Sequence, residues 1–212
     1  EGSEMRRFLR ASLLTFVIGA VAGFAMKASG VWQRFKDRQF QDEEMKLTGW
    51  VARFYAWAAP WLAGWLHAIF AKLLDLQPED EVLDVACGSG TFLRKHASHV
   101  RRIAGLDHSE DLIEIALREN RERVAAGTAE FVAGDVTVLP WEDDQFSVVT
   151  SNCVHCFDTK AKQALAEMYR VLRPGGRAVV DLDRRETMES VGFTRVSAER
   201  ILWDYATTGF KE

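Results

Sequence analysis

Val82-Leu83-Asp84-Val85-Ala86-Cys87-Gly88-Ser89-Gly90 is the stretch that decides how this 212-residue chain is read. Glu81 to Ala86 is a short, mostly apolar run of the kind that forms a buried strand. It runs directly into two glycines around Ser89, which permit a tight turn and let a ligand approach the backbone closely. The helical pattern beginning near Gly90 then presents an amide-rich, positive end to a carboxylate. Alone, such a turn is an ordinary strand-to-helix connection, so the reading depends on what surrounds it.

Downstream, short apolar runs alternate with helical patterns. Strands are expected at Arg102 to Leu106, Ala129 to Val132, Phe146 to Thr150 and Arg177 to Asp181. Helices are expected to begin near Gly90, Glu110 and Thr159, the last stopping at Arg173-Pro174-Gly175-Gly176. This rhythm describes an α/β fold, a parallel sheet covered by helices on both faces. Ligands of such sheets bind beyond the carboxyl ends of the strands. Those positions hold Asp107, suited to accept hydrogen bonds from two ribose hydroxyls; Gly134-Asp135-Val136, suited to an adenine amino group; and Ser151-Asn152-Cys153-Val154-His155-Cys156. A dinucleotide site would require a third glycine where this chain has Leu93. Asp84 favours a ligand bearing an amine over a pyrophosphate.

With these residues together, Val82 to Gly90, Gly105-Leu106-Asp107, Gly134-Asp135 with Leu139-Pro140, and Arg170 to Gly176 resemble the ordered motifs of class I S-adenosylmethionine (SAM)-dependent methyltransferases. The nearest subgroup is that of quinone-biosynthesis C-methyltransferases. Ala86 stands where the commonest motif has its first glycine. The resemblance implies a Rossmann-like sheet, mostly parallel with an antiparallel last strand, here preceded by an N-terminal helical extension. Phe193 to Val196 and Ile201 to Ala206 are the expected final strand pair. It also implies that Asp84 and the Gly88–Gly90 turn hold the methionine part of SAM, Asp107 the ribose, and Asp135 with Val136 the adenine. The expected cofactor set is therefore Asp84, Ala86, Cys87, Gly88, Ser89, Gly90, Asp107, His108, Asp135, Val136 and Ser151.

The chain divides into an apolar helix with a charged connection at 1–46, aromatic cap helices at 47–76, and a catalytic domain at 77–212. Ala11 to Met26 is uncharged over sixteen residues, just short of a spanning helix, with Arg6, Arg7 and Arg10 before it. A signal peptide also fits these residues, but export would part a SAM enzyme from its cytosolic cofactor. Gly19 and Gly23 form a small-residue ridge suited to packing against another helix, including that of a second copy. From Trp50 to Leu74, Trp50, Phe54, Trp57, Trp61 and Trp65 recur at helical spacing on a helix or helix pair broken near Pro60. The preferred reading is a cap that buries these aromatics. The alternative is membrane association through residues 8–26 and 50–74, on the cytoplasmic face.

A hydrophobic content of 48% suits one α/β domain with an extension. A net charge of -4 without a Lys/Arg run argues against a nucleic-acid partner. Three cysteines give no disulfide framework and suit a reducing, cytoplasmic compartment. Cys153, His155 and Cys156 are too crowded for a zinc site, so no metal is expected. Methyl transfer needs orientation more than a covalent nucleophile. His155 is the candidate base, and Tyr55 and Trp141 are most simply core residues. Family members usually insert a lid between the fifth strand and the last helix, whereas here only Arg184 to Ser190 is available. This points to a small lipophilic acceptor, such as a quinone, lipid or natural product. A polar metabolite, a protein acceptor, or a SAM-binding scaffold without turnover stand as alternatives.

Overall fold

In the computed structural model the described residues are 47–212, apart from 63, 153–159, 182 and 202–203. The apolar segment at 8–26 and the connection to 46 lie outside them. Two cap helices, α1 (Gly49–Leu62) and α2 (Gly64–Leu74), precede the sheet domain. Then follow β1 (Glu81–Val85), α3 (Thr91–His96), β2 (Arg102–Asp107), α4 (Glu110–Glu119), α5 (Arg121–Ala125), β3 (Ala129–Ala133) and β4 (Phe146–Ser151). The chain ends with α6 (Ala161–Val171), β5 (Leu172–Asp181), α7 (Arg185–Ser190), β6 (Thr194–Ile201) and β7 (Asp204–Phe210).

The strands form one seven-stranded sheet in the order β3-β2-β1-β4-β5-β7-β6. The β1, β2, β3, β4 and β5 pairings are parallel, and β7 runs antiparallel between β5 and β6. Strand order reverses at β1, which has β2 on one side and β4 on the other, so the switch-point crevice opens beyond Asp84 and Thr150. Both faces are buried because side chains alternate along each strand. Leu83, Val85 and Val149 pack with Leu165 and Met168 of α6 on one face. Val82 and Val148 pack with Phe70, Phe92 and Ile113 on the other.

Three local expectations change. Helix α6 stops at Val171 as expected, but Arg173–Gly176 belongs to β5 as a bulge. Phe146 pairs with Leu172 and Val148 next with Arg177, so several residues oppose Ser147 alone. Pro174 can sit there because the bulge demands no ladder donor. At Gly176 a Cβ would come within 2.6 Å of Leu172 Cδ1. Second, the expected strand from Ile201 to Ala206 straddles a hairpin, since Ile201 pairs with Asp204.

The third change concerns the cap. The break between α1 and α2 falls after Leu62, past Pro60; proline in the last turn costs one backbone bond without ending the helix at once. The aromatic stripe of α1 faces outward: Trp50 is 74% exposed, Phe54 58% and Trp57 69%. The buried face is the small one, with Ala52 and Ala58 against the domain. Two hydrogen bonds fix its start. Gly49 N–H donates to Asp111 Oδ2 at 2.7 Å, and the Ser109 hydroxyl donates to the Leu47 carbonyl. Among the described residues no helix is long and apolar enough to cross a membrane.

At the opposite end of the strands, buried Asp80 ties the loop before β1 to β4 and β5. It accepts from Arg177 Nη2 at 2.7 Å, Ser147 Oγ at 2.7 Å and Gln77 N–H at 2.8 Å. Burial alone would raise its pKa, but the hydrogen bonds from Arg177, Gln77 and Ser147 hold the carboxyl below its ordinary range. Its folded pKa is therefore depressed, and its contribution to stability is lost as pH falls through the acidic range. Asp80→Ala is expected to cost about 2–4 kcal/mol, because it removes the charge partner of the partly buried Arg177 guanidinium, which keeps only the Leu74 and Asp75 carbonyls. Asp80→Asn should flatten stability against pH below about 4. Urea denaturation across pH measures both.

Candidate functional site

The turn after β1 is held in a conformation few sequences adopt. Ala86, Gly88 and Gly90 have φ of 61°, 54° and 66°. At Ala86 this left-handed geometry costs on the order of 1 kcal/mol, which explains why related motifs favour glycine there. Gly90 has no alternative: a Cβ would lie 2.9 Å from Phe131 Cε1 and 3.2 Å from Ala116 Cβ. The turn thus presses against α4 and β3. Cys87 N–H donates to the Leu106 carbonyl and Gly90 N–H to the Cys87 carbonyl, both at 3.0 Å. Helix α3 is only six residues long, so the amides of the turn, more than a helix dipole, form the polar surface facing a ligand.

Two carboxylates flank this turn in different states. Asp107 accepts from Gly88 N–H at Oδ2 and from Ser109 N–H at Oδ1, both at 2.9 Å. Each oxygen keeps a lone pair for a further donor. His108 Nδ1 stands 3.6 Å from Asp107 Oδ1. Asp84 is 2% exposed, yet its Oδ1 is a buried oxygen without a protein partner. Burial raises its carboxyl pKa well above the usual range, and the charge of Asp107 raises it further. An unanswered carboxyl of this kind calls for a proton or a cationic ligand. His108 Nε2 and Asn152 Oδ1 are likewise buried without partners. These three atoms lie at or just beyond the carboxyl ends of β1, β2 and β4, neighbours in the sheet.

The other expected residues divide. Ala86 is partly buried and Ser89 buried, with Ser89 Oγ 3.0 Å from Thr91 Oγ1. The Cys87 side chain points away from the crevice, since a Cβ on Gly105 would lie 2.7 Å from its Sγ. Burial, then Asp107 and Asp84, push this thiol well up, so only its backbone faces the turn. Ser151 is buried at the end of β4. Val136 packs into the core. Asp135 is exposed, accepting from Thr137 N–H at 2.9 Å and Thr137 Oγ1 at 2.8 Å, with Lys160 Nζ at 3.3 Å; these bonds, the Thr137 amide foremost, lower its pKa. His155, Cys153 and Cys156 lie outside the described residues. Trp141 is a core residue, edge-on to Phe146 at 5.5 Å.

Tyr55 is where core packing was expected and is not what the fold provides. A Cβ on Gly88 would lie 3.5 Å from Tyr55 Cε1, so its ring lies over the turn. Burial, then the charges of Asp107 and Asp84, raise its phenol pKa. Its offset from the Trp50–Phe54–Trp57 stripe was the available signal. Asn152 was visible only as part of a polar cluster after β4.

Residues 82–176 match the family model described as a methyltransferase domain. That segment of the chain is therefore similar to a methyltransferase domain. A demethylmenaquinone methyltransferase of Renibacterium salmoninarum is 37% identical over 103 residues, covering 49% of this chain and 41% of that protein. A ubiquinone/menaquinone biosynthesis C-methyltransferase of Ectopseudomonas mendocina is 33% identical over 126 residues, covering 56% of this chain and 49% of that protein. The chain therefore spans less than half the length of these two curated relatives. A solved structure of a proposed SAM-dependent methyltransferase from Methanococcus maripaludis superposes with a TM-score of 0.65 over 80% of this chain and 96% of that one. At 18% identity it speaks to the fold alone.

SAM is the cofactor of class I methyltransferases, and this crevice fits it. Its amine and sulfonium are cationic, as Asp84 requires, and its ribose diol suits the free lone pairs of Asp107. If Asp84 is held for a ligand and not for the fold, removing its charge should help the ligand-free protein. Asp84→Asn is expected to stabilise that form by about 1 kcal/mol at pH 7, or about 2–4 °C in melting temperature. Because the folded pKa is raised, the gain should shrink as pH falls and the native carboxyl takes up its proton. Calorimetric melting across pH tests this; destabilisation by the amide would assign Asp84 to the fold.

Proposed function

We propose that this chain transfers a methyl group from SAM directly to a small lipophilic acceptor, such as a quinone, lipid or hydrophobic natural product. The observation carrying the proposal is the pair of strand-end carboxyls, one satisfied by turn amides and one buried without a partner. When bound, SAM supplies an electrophilic methyl group on a sulfonium. Asp84 and the backbone from Ala86 to Gly90 hold its methionine part and Asp107 its ribose, beside His108. Asp135, through its remaining lone pairs, and the Val136 backbone meet the adenine. Ser151, at the end of β4, joins the cofactor-binding set, and Tyr55 covers the turn from α1. Catalysis is then mainly orientation in a crevice that excludes water, with His155 removing a proton where the acceptor has one to lose.

The acceptor class is supported by the relatives named for quinone biosynthesis and by the short segment after β5. Helix α7 spans six residues, and its Met188 is committed to the core, so it cannot form a deep lid. Residues 1–46 form the N-terminal extension, 47–76 the cap and 77–212 the catalytic domain. The protein works on the cytoplasmic face of a membrane, with residues 8–26 and 50–74 as the membrane-associated parts. The small-residue ridge at Gly19 and Gly23 would serve a homodimer.

Asp107→Ala should weaken SAM binding by about 1.5–3 kcal/mol, as expected for hydrogen bonds to a charged group. Unchanged affinity by titration calorimetry would remove Asp107 from the site. Incubation with methyl-labelled SAM and either a lipid extract or a demethylated quinone should place label in the organic phase. Label appearing only on polar acceptors would overturn the acceptor class, and tight binding without product would overturn the enzyme.

A further inference from the structure

Helix α1 has two faces of opposite character. Its inner face lays Ala52 and Ala58 on the domain and carries Tyr55 over the Gly88 turn. Its outer face presents Trp50, Phe54 and Trp57 at 74%, 58% and 69% exposure, with Arg53 exposed among them. Positions 50, 53, 54 and 57 lie on one helical stripe. The Phe54 and Trp57 rings are 5.9 Å apart, so the aromatics form a continuous patch. Such a patch of large apolar groups marks an interaction surface.

The chemistry of the stripe selects the occupant. Neither α1 nor α2 contains an acidic residue, and both carry a base, Arg53 and Lys72. This basic stretch belongs to a chain whose net charge is -4. Tryptophan prefers the headgroup level of a bilayer, where its ring is half apolar and its N–H stays wet. Arginine beside it can stay with phosphate oxygens while its stem lies against the apolar layer. Helix α1 has 14 residues, or about 21 Å of rise against the roughly 30 Å of a hydrocarbon core. With one face already on the domain, it is built to lie on a bilayer and not to cross it.

We propose that the Trp50–Arg53–Phe54–Trp57 face of α1 docks the protein on an anionic phospholipid surface. The Gly88 turn is then separated from lipid by one helix diameter, about 10 Å, and Tyr55 lies between them. A lipophilic acceptor could pass from bilayer to crevice without crossing bulk water. The purpose rests on the acceptor class proposed above; the docking is read without SAM or turnover.

The test is flotation of the whole chain with vesicles of phosphatidylcholine alone or mixed with phosphatidylglycerol. Binding is expected mainly to the anionic vesicles, and at least about tenfold weaker for the W50S/F54S/W57S variant. R53E should weaken binding to anionic vesicles by about tenfold and leave neutral ones little changed. All substituted side chains are exposed, and unchanged SAM affinity and circular dichroism would verify the fold. Equal flotation of the triple variant, which would assign binding to the apolar segment at 11–26, overturns the proposal. So does equal binding to both vesicle types, or a lipid-free dimer that the triple variant abolishes. If docking holds while every lipophilic acceptor fails as substrate, only the acceptor class falls.

Discussion

Two carboxyl groups near the ends of adjacent parallel strands set the terms for this structure. Asp84 and Asp107 close β1 and β2, both buried, and only Asp107 is answered by backbone amides. A fold selected for stability alone would not leave Asp84 in that position, because a buried carboxyl without a partner is among the more expensive groups a core can hold. The surrounding geometry follows from keeping it there. The β1 turn must leave the strand sharply, so left-handed backbone recurs at Ala86, Gly88 and Gly90. The turn must also sit against α4, so no side chain fits at Gly90. The cost is answered when a cation arrives, which makes ligand binding and local stability parts of one account.

Much of this was legible in the sequence where one physical signal dominated. Strands β1 to β4 are short apolar runs, each followed at once by polar or glycine residues, and their bounds fall within a residue of expectation. The parallel order and the antiparallel β7 followed from a resemblance on ordered motifs. Signals failed where two explanations shared a pattern. Arg173-Pro174-Gly175-Gly176 reads as a helix stop, and it is one, but the same residues also make a bulge that joins the sheet. The expected strand from Ile201 to Ala206 is split between β6 and β7, with Ile201 paired to Asp204, because its apolar run looked like the interior of one strand.

The cap shows a different limit. Periodicity assigns Trp50, Phe54 and Trp57 to one side of a helix but does not say which side faces in. In α1 the opposite side is apolar too, being alanine, and alanine allows closer approach to the sheet domain. Packing therefore chose the small face, helped by polar clips from Gly49 to Asp111 and from Ser109 to Leu47. Both clips start from the loop and helix that follow Asp107. The element that carries Tyr55 over the β1 turn is thus anchored beside the β2 carboxylate. That long-range coincidence has no local signature, which is why Tyr55 read as a core residue.

These features bear on which wall of the crevice receives the acceptor. The side beyond β5 has little to contribute, since α7 is short and its Met188 fills the space against Gly209, where a Cβ would lie 2.8 Å from the methionine methyl. Enlarging α7 into a lid would require releasing that core contact. Under the proposed function the cover is then left to α1, the helix clipped to Ser109 and Asp111 after β2. A cover clipped beside Asp107, with alanines on its inner face and aromatics on its outer one, would give the proposed acceptor a route along apolar surface. It also separates the two demands on the site. The two carboxyl groups sit at β1 and β2, where the strands are buried, while under the proposed function acceptor access falls to α1, which rests Ala52 and Ala58 on the domain.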